Sequence, residues 1–237
     1  MITCRDVKKS FGRRAVLAGL DLAVEPGDIT LIVGANGAGK TTTLRLLAGL
    51  AEPDAGTITI GGRDLRRERR AALANLSFLP QAPRFHPRLT ARQVVRFYGE
   101  LRGRDHGATE AALERWGLTE SARTPTGKLS GGLRQRLALA VFDLADTPVR
   151  LLDEPGLSLD PEWRERLQAF LVAEAHRGRT VLVATHLLGE WENRVTRCVL
   201  VENGRCAGDL SPQRLRDTFF GVERLAVPTG QSMEACG

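Results

Sequence analysis

Apolar residues follow two rhythms along this chain, and the switches between them mark its elements. Ile29–Val33 is a short apolar, β-branched run that fits a strand buried in a parallel sheet, and after a glycine-rich turn Thr41 to Leu47 has helical spacing. Residues 29–47 therefore read as strand, loop, helix. The first 28 residues and Thr57–Ile60 read as further strands, with Pro26-Gly27 and Gly61-Gly62 as turns, which predicts an antiparallel β-layer flanking the parallel sheet. From Pro83 to about Thr147 the period becomes helical. Thr90 and Gln93 are spaced as a capping box ahead of Val94, Val95, Tyr98 and Leu101, and Ala108 to Trp116 keeps the same spacing. This stretch predicts an inserted helical subdomain over residues 83–147.

Beyond it, Leu151-Leu152 leads into two acids, and Asp160-Pro161 supplies an N-cap and a first-turn proline for a helix through about Ala175. Thr180–Ala184 is the next buried strand, and Asn203-Gly204 marks a late hairpin. Strands alternating with helices of this length imply right-handed crossovers and a mostly parallel sheet covered on both faces. Residues 221–237 are small and polar without periodicity and read as a loose tail on one domain spanning 1–220.

Composition narrows the class. With 42% hydrophobic and 26% charged residues in 237, the chain is neither disordered, collagenous nor membrane-spanning. It contains no run of 18 apolar residues, and Met1 to Asp6 carries charge where a signal peptide needs an apolar segment, so a cytoplasmic location is expected. Net charge is only +6, with both signs interspersed. Arg66-Arg67-Glu68-Arg69-Arg70 is the run that would suit a nucleic acid or an anionic membrane surface; it reads as a solvated face. Cys4, Cys198, Cys206 and Cys236 form no CxxC and no Cys/His cluster, which points to isolated reduced thiols rather than zinc or disulfides.

Chemistry enters at Gly34-Ala35-Asn36-Gly37-Ala38-Gly39-Lys40-Thr41, a full match to GxxxxGK[ST] between the expected strand and helix. In such a loop the glycines let backbone N–H groups turn inward around phosphates, Lys40 adds a point charge, and the Thr41 hydroxyl can ligate Mg²⁺. The helix N-terminus, with Thr42 in its first turn, adds partial positive charge. Nucleoside triphosphate binding follows, on an α/β fold of the P-loop NTPase type. Asp153-Glu154 ends an apolar strand and puts two carboxylates at the carboxyl edge of the sheet, where open α/β folds bind ligands. Phosphoryl transfer depends on positioning and charge compensation, so Asp153 is assigned to Mg²⁺ and Glu154 to the attacking water.

Leu129-Ser130-Gly131-Gly132-Leu133-Arg134-Gln135 resembles the signature sequence of ATP-binding cassette (ABC) ATPases. Other elements stand in that family's order over roughly residues 2 to 215: Phe11 resembles the aromatic that stacks on adenine, Gln81 the Q-loop glutamine, Asp160 the D-loop acid and His186 the switch histidine. The resemblance implies ATP and Mg²⁺ as cofactors, with Glu154, His186 and Gln81 as catalytic residues and Gln81 also on the metal. It also implies two cassettes packed head to tail, so that Ser130, Gly131 and Gly132 act in trans on the γ-phosphate of the other chain, a second copy or a paralogue. The function so implied is the ATPase subunit of a transporter, on the inner face of the cell membrane through a separate multi-spanning permease. The short helical insert looks more like export-type subunits. Substrate recognition would belong to the permease.

Four departures from the family pattern stand out: Arg150 interrupts the apolar run before Asp153, Gly156-Leu157-Ser158 replaces a Thr-Ser-Gly-like stretch, Val141 stands where many relatives have arginine, and Asp143 is unusual in the signature helix. None removes a catalytic group. The alternative reading is a soluble ABC ATPase acting on nucleic acid or ribosomes. One uninterrupted cassette argues against it, and no nucleic-acid partner is expected. An ordinary P-loop kinase or GTPase leaves Leu129 to Gln135 and His186 unexplained.

Overall fold

A computed structural model describes residues 1–191 and 194–210. Strands β1 (Ile2–Phe11) and β2 (Arg14–Val24) form a hairpin, and β3 (Ile29–Val33) leads through the glycine-rich turn into α1 (Lys40–Leu47). Then come β4 (Ala55–Ile60), β5 (Arg63–Asp64), α2 (Arg69–Ala74) and β6 (Leu76–Leu79). Three helices follow, α3 (Ala91–Leu101), α4 (His106–Arg115) and α5 (Gly131–Leu144), before β7 (Val149–Asp153), α6 (Pro161–His176), β8 (Thr180–Ala184), β9 (Arg197–Glu202) and β10 (Arg205–Leu210).

The strands sort into two sheets. One is antiparallel, in the order β2-β1-β4-β5; the other runs β10-β9-β3-β8-β7-β6 and is parallel apart from β10 on its edge. Every residue of β3, β7 and β8 is buried, as central strands covered on both faces must be. Alternation along β3 divides the core in two. Leu31 and Val33 join Val95, Leu137 and Leu171 of the helices on one face, while Ile32 joins Leu20, Leu44 and Ile60 of the antiparallel layer and α1 on the other.

Register sets up the site. Ala184 at the end of β8 is the partner of both Ile32 in β3 and Asp153 in β7, so the residues after these three strands emerge at one edge.

The expected helix starts form as local chemistry dictates. Thr90 and Gln93 make the reciprocal capping box, and Asp160 accepts from the Trp163 N–H ahead of Pro161. The Asn203-Gly204 turn closes the β9–β10 hairpin with both residues at positive φ.

Two elements carry no strong sequence signal, α2 and β6. Six and four residues long, they are too short to show a period, and β6 is defined by its ladder to β7. Within the arginine run, Arg66 and Arg67 donate their backbone N–H groups to Asp64, and the Arg69 side chain donates to the Gly49 carbonyl. Cys4 and Cys198 are buried, and burial pushes both thiols up to about 12, so neither ionises at neutral pH. Among the described residues no helix is long and apolar enough to cross a membrane. The expected boundary at residue 220 and the tail 221–237 lie outside the described residues.

Candidate active site

The turn between β3 and α1 needs glycine at both ends. At Gly34, φ is 151° and a Cβ would lie 2.2 Å from the Val201 carbonyl oxygen; at Gly39, φ is 112° and a Cβ would meet Leu17 at 2.6 Å. With Gly39 at its N-cap, α1 starts without a side-chain cap, leaving its first-turn N–H groups to an anion. Lys40 Nζ donates to the carbonyls of Gly34 (2.7 Å) and Ala35 (3.2 Å), which holds the ammonium across the loop. Removing it by Lys40→Ala takes a charge out of the phosphate cradle. The expected result is a roughly ten- to hundredfold loss of ATP affinity. A nucleotide titration giving equal affinities would contradict that role.

A cleft of about 570 Å³ opens over this loop, lined by Asn36, Gly37, Lys40, Thr41 and Thr42 of the loop and helix start and by Gln81, Glu154 and His186. The Thr41 hydroxyl donates to Asp153 Oδ1 at 3.1 Å. Burial holds the Asp153 carboxyl above its ordinary range, with the Thr41 hydrogen bond working against that rise and the Glu154 charge adding to it. A buried carboxylate beside a hydroxyl is a pair of hard oxygen donors that a small divalent cation would relieve of its desolvation cost, so these residues fit Mg²⁺.

Glu154 sits just past the end of β7 at φ 48°, outside the usual range of an L-residue, with its N–H donating to the Ala184 carbonyl at 2.8 Å. That turn carries the carboxylate from the sheet into the cleft. Glu154 Oε1 lies 3.0 Å from His186 Nδ1, and the His186 backbone N–H donates to Glu154 Oε2 at 3.3 Å. The histidine thus fixes both oxygens of a nearly buried carboxylate, an arrangement suited to orienting a water and accepting its proton.

Other expected site residues lie elsewhere. Ser130 caps α5 by accepting from the Leu133 N–H at 3.2 Å; Ser130 and Gly131 are exposed, and neither they nor Gly132 line the cleft. A Cβ on Gly132 would come within 3.1 Å of the Ser158 carbonyl oxygen, so the departing Gly156-Leu157-Ser158 stretch packs against the signature glycines. Asp160 and the exposed Phe11 are also outside the cleft lining, and Asp160 uses its carboxylate on the α6 cap. Ala38 is in the loop, where its N–H donates to the Ala35 carbonyl.

Two residues of consequence were not singled out by sequence. Gln135 is buried and donates through Nε2 to the Pro155 carbonyl at 2.9 Å, tying the signature helix to the segment just after Glu154. Its place in the signature was the available signal, but its partner lies 20 residues on. Arg14 lines the cleft beside the loop, with no local motif to mark it.

The departures find physical roles. Val141 lines a groove between β6 and α5, and Asp143 pairs with Arg115 at 2.8 Å, its carboxyl raised by burial against the pull of Arg115. Arg150 is fully buried and paired with Glu174.

Comparison with known proteins shows the family. A family model described as "ABC transporter" matches residues 17–156. The Nod factor export ATP-binding protein I of Burkholderia lata is 36% identical over 234 residues, covering 95% of this chain and 76% of that protein. Among solved structures, a bacterial Atm1-family ABC exporter with ATP bound superposes with a TM-score of 0.84 at 26% identity, over 97% of this chain and 42% of that one. The dimeric bacterial ABC transporter cassette MJ0796 gives 0.80 at 25% identity, over 90% of this chain and 99% of that one.

Proposed function

The chain belongs to the ABC transporter family as an ATP-binding, ATP-hydrolysing subunit, and from that premise we propose that it energises export through a separate multi-spanning membrane subunit. The observation that carries the proposal is the meeting of Thr41, Asp153, Glu154 and His186 at one sheet edge, while the signature at the start of α5 is left exposed outside its own cleft. A cleft with a catalytic carboxylate, and a signature that lies outside that cleft in its own chain, suit a second cassette whose Ser130, Gly131 and Gly132 close over the triphosphate. Ser130 offers a hydroxyl, the glycines offer backbone N–H groups, and the helix dipole of α5 favours the anion.

Within one site, Thr41 and Asp153, with Gln81 nearby, would hold Mg²⁺, which supplies charge neutralisation at the β- and γ-phosphates. Glu154 accepts the proton of the attacking water and His186 holds Glu154 in position. Phe11 stands as the platform for adenine, and Asp160 as a contact near the dimer seam. ATP adds contacts from both cassettes and hydrolysis removes them, so nucleotide state biases the dimer between closed and open forms.

Export is supported by the Nod factor export relatives and the Atm1-family exporter likeness. Docking to the membrane subunit is supported by the groove of about 390 Å³ whose lining includes Phe85, Tyr98, Val141 and Phe142. Phe85, Tyr98, Val141 and Phe142 offer apolar contacts to one face of a short amphipathic helix, with Arg84 and Arg102 in the same lining for its polar face.

The test is fractionation with and without co-expression of the multi-spanning protein encoded beside this chain. The chain is expected to move to the membrane fraction when that protein is present. Protein that ignores membranes but binds RNA tightly, losing it when the arginines of the 66–70 run are replaced, would overturn the transporter reading.

A further inference from the structure

We propose that Arg14 is a second cationic ligand of the nucleotide phosphates, lining the same cleft as Lys40. The assignment rests on the reading of this cleft as an ATP site and adds to it a residue from a separate sheet. Arg14 opens β2 and is the direct cross-strand partner of Phe11 at the tip of the first hairpin. Its side chain leaves the antiparallel layer and reaches the phosphate loop, where a methyl group on Gly37 would come within 3.0 Å of its Nη2. The guanidinium therefore lies on the loop backbone, and it lines the same cleft as Lys40, Thr41 and Glu154.

Charge supplies the second argument. Several arginines elsewhere in this chain are tied to carboxylates: Arg104 and Arg179 to Asp146, Arg115 to Asp143, Arg150 to Glu174. Among the described residues, Arg14 makes no ion pair and no side-chain hydrogen bond. Lys40, by contrast, is already tied to two loop carbonyls. The cleft is lined by the carboxylate of Glu154, with Asp153 buried behind Thr41, and a nucleotide brings further negative charge. A guanidinium with free donors laid against an anion-binding loop meets that charge with a planar fork that matches phosphate oxygens.

Position also says which part of the nucleotide it serves. Phe11 and Arg14 share a hairpin tip, while Gln81 and His186 line the cleft together with the carboxylate of Glu154. One hairpin would then present a ring to the base and a cation to the phosphates, while the catalytic groups attend to the scissile end. Arg14 binds and does not take part in proton transfer. Its loss is expected to raise KM for ATP about tenfold with kcat unchanged at saturation, the pattern of lost uniform binding.

The experiment compares the full chain with Arg14→Ala, Arg14→Lys and Lys40→Ala by titration with ADP and with adenosine. Arg14→Ala is expected to weaken ADP about tenfold and leave adenosine unchanged, with Arg14→Lys between it and the native chain. Unchanged ADP affinity in Arg14→Ala, while Lys40→Ala loses it, would overturn the assignment and leave the ATP site standing. Equal loss of ADP and adenosine would also overturn it, by making Arg14 a support for the hairpin. A native chain that binds no ADP would instead remove the reading on which the assignment rests. The unfolding midpoint without nucleotide should match the native chain, because Arg14 is exposed.

Discussion

Glu154→Gln is expected to lower the turnover number for ATP by roughly a hundred- to ten-thousandfold while leaving ATP affinity near the native value. The amide keeps the length and shape of the side chain and its contact with the His186 backbone N–H, but it cannot accept a proton from water. Burial sharpens the effect, since Glu154 is only 8% exposed and bulk water has little opportunity to replace it. Lys40→Ala acts earlier, on binding, so the two variants separate the steps. Phosphate release at saturating ATP measures the first, and a nucleotide titration measures the second. Native-like hydrolysis by Glu154→Gln would remove Glu154 from its role as base.

The same variant tests assembly. If the signature of one chain closes over the triphosphate of another, a chain that binds ATP without hydrolysing it never releases those contacts. Light scattering is expected to show a dimer with ATP and a monomer with ADP. A monomer under both conditions would point to a paralogous cassette or to an obligatory membrane subunit as the missing half.

What the sequence made legible was local. The phosphate loop occupies eight consecutive residues between a strand and a helix, so Gly34 to Thr41 declared both chemistry and position. The Thr90–Gln93 box and the Asp160-Pro161 start span four residues or fewer and formed as expected. Asp153 and Glu154 were legible because an apolar strand ended on them, but the turn at φ 48° that separates their roles was not. Ser130 and Asp160 show the limit from the other side. A serine or aspartate before a helix is a cap by ordinary physics, and both side chains do cap their helices. Their action across a dimer seam rests on the family pattern.

Non-local partners stayed hidden. Arg14 is one arginine in an arginine-rich chain, and nothing nearby in sequence says that it reaches Gly37. Gln135 and Pro155 meet only because α5 packs beside β7. Short elements stayed hidden too: β6 is a strand because β7 runs beside it, and its own four residues would suit a helix end equally well. The helices α3, α4 and α5 form over the stretch whose spacing reads as helical, and a charge on β7, Arg150, ties α5 to the sheet while pairing with Glu174 of α6.

Those charges carry the largest expected effect on stability. Arg150, which looks like a defect in the strand leading to Asp153, is buried to 1% and donates to the Phe142 carbonyl of α5 at 3.0 Å and to the Glu174 carboxylate of α6. Its guanidinium also lies 5.2 Å from the Phe142 ring centre and 5.9 Å from that of Phe170. Burial pulls its pKa below the ordinary arginine range, with Glu174 opposing that fall, and a guanidinium stays charged in proteins. One side chain thus joins the strand of Asp153, the signature helix and the helix that Asp160 caps. Glu174→Leu would leave that guanidinium buried without its carboxylate, at a cost of about 3–5 kcal/mol. Arg150→Leu should cost less, because Glu174 keeps Arg179 at 2.7 Å and Arg177 at 3.1 Å. The double variant removes the orphaned charge and should recover part of the loss seen in Glu174→Leu alone, a coupling that denaturant unfolding of the four chains would measure. Strict additivity of the two substitutions would mean that the pair is a bystander and that α5 and α6 are held to β7 by their apolar contacts.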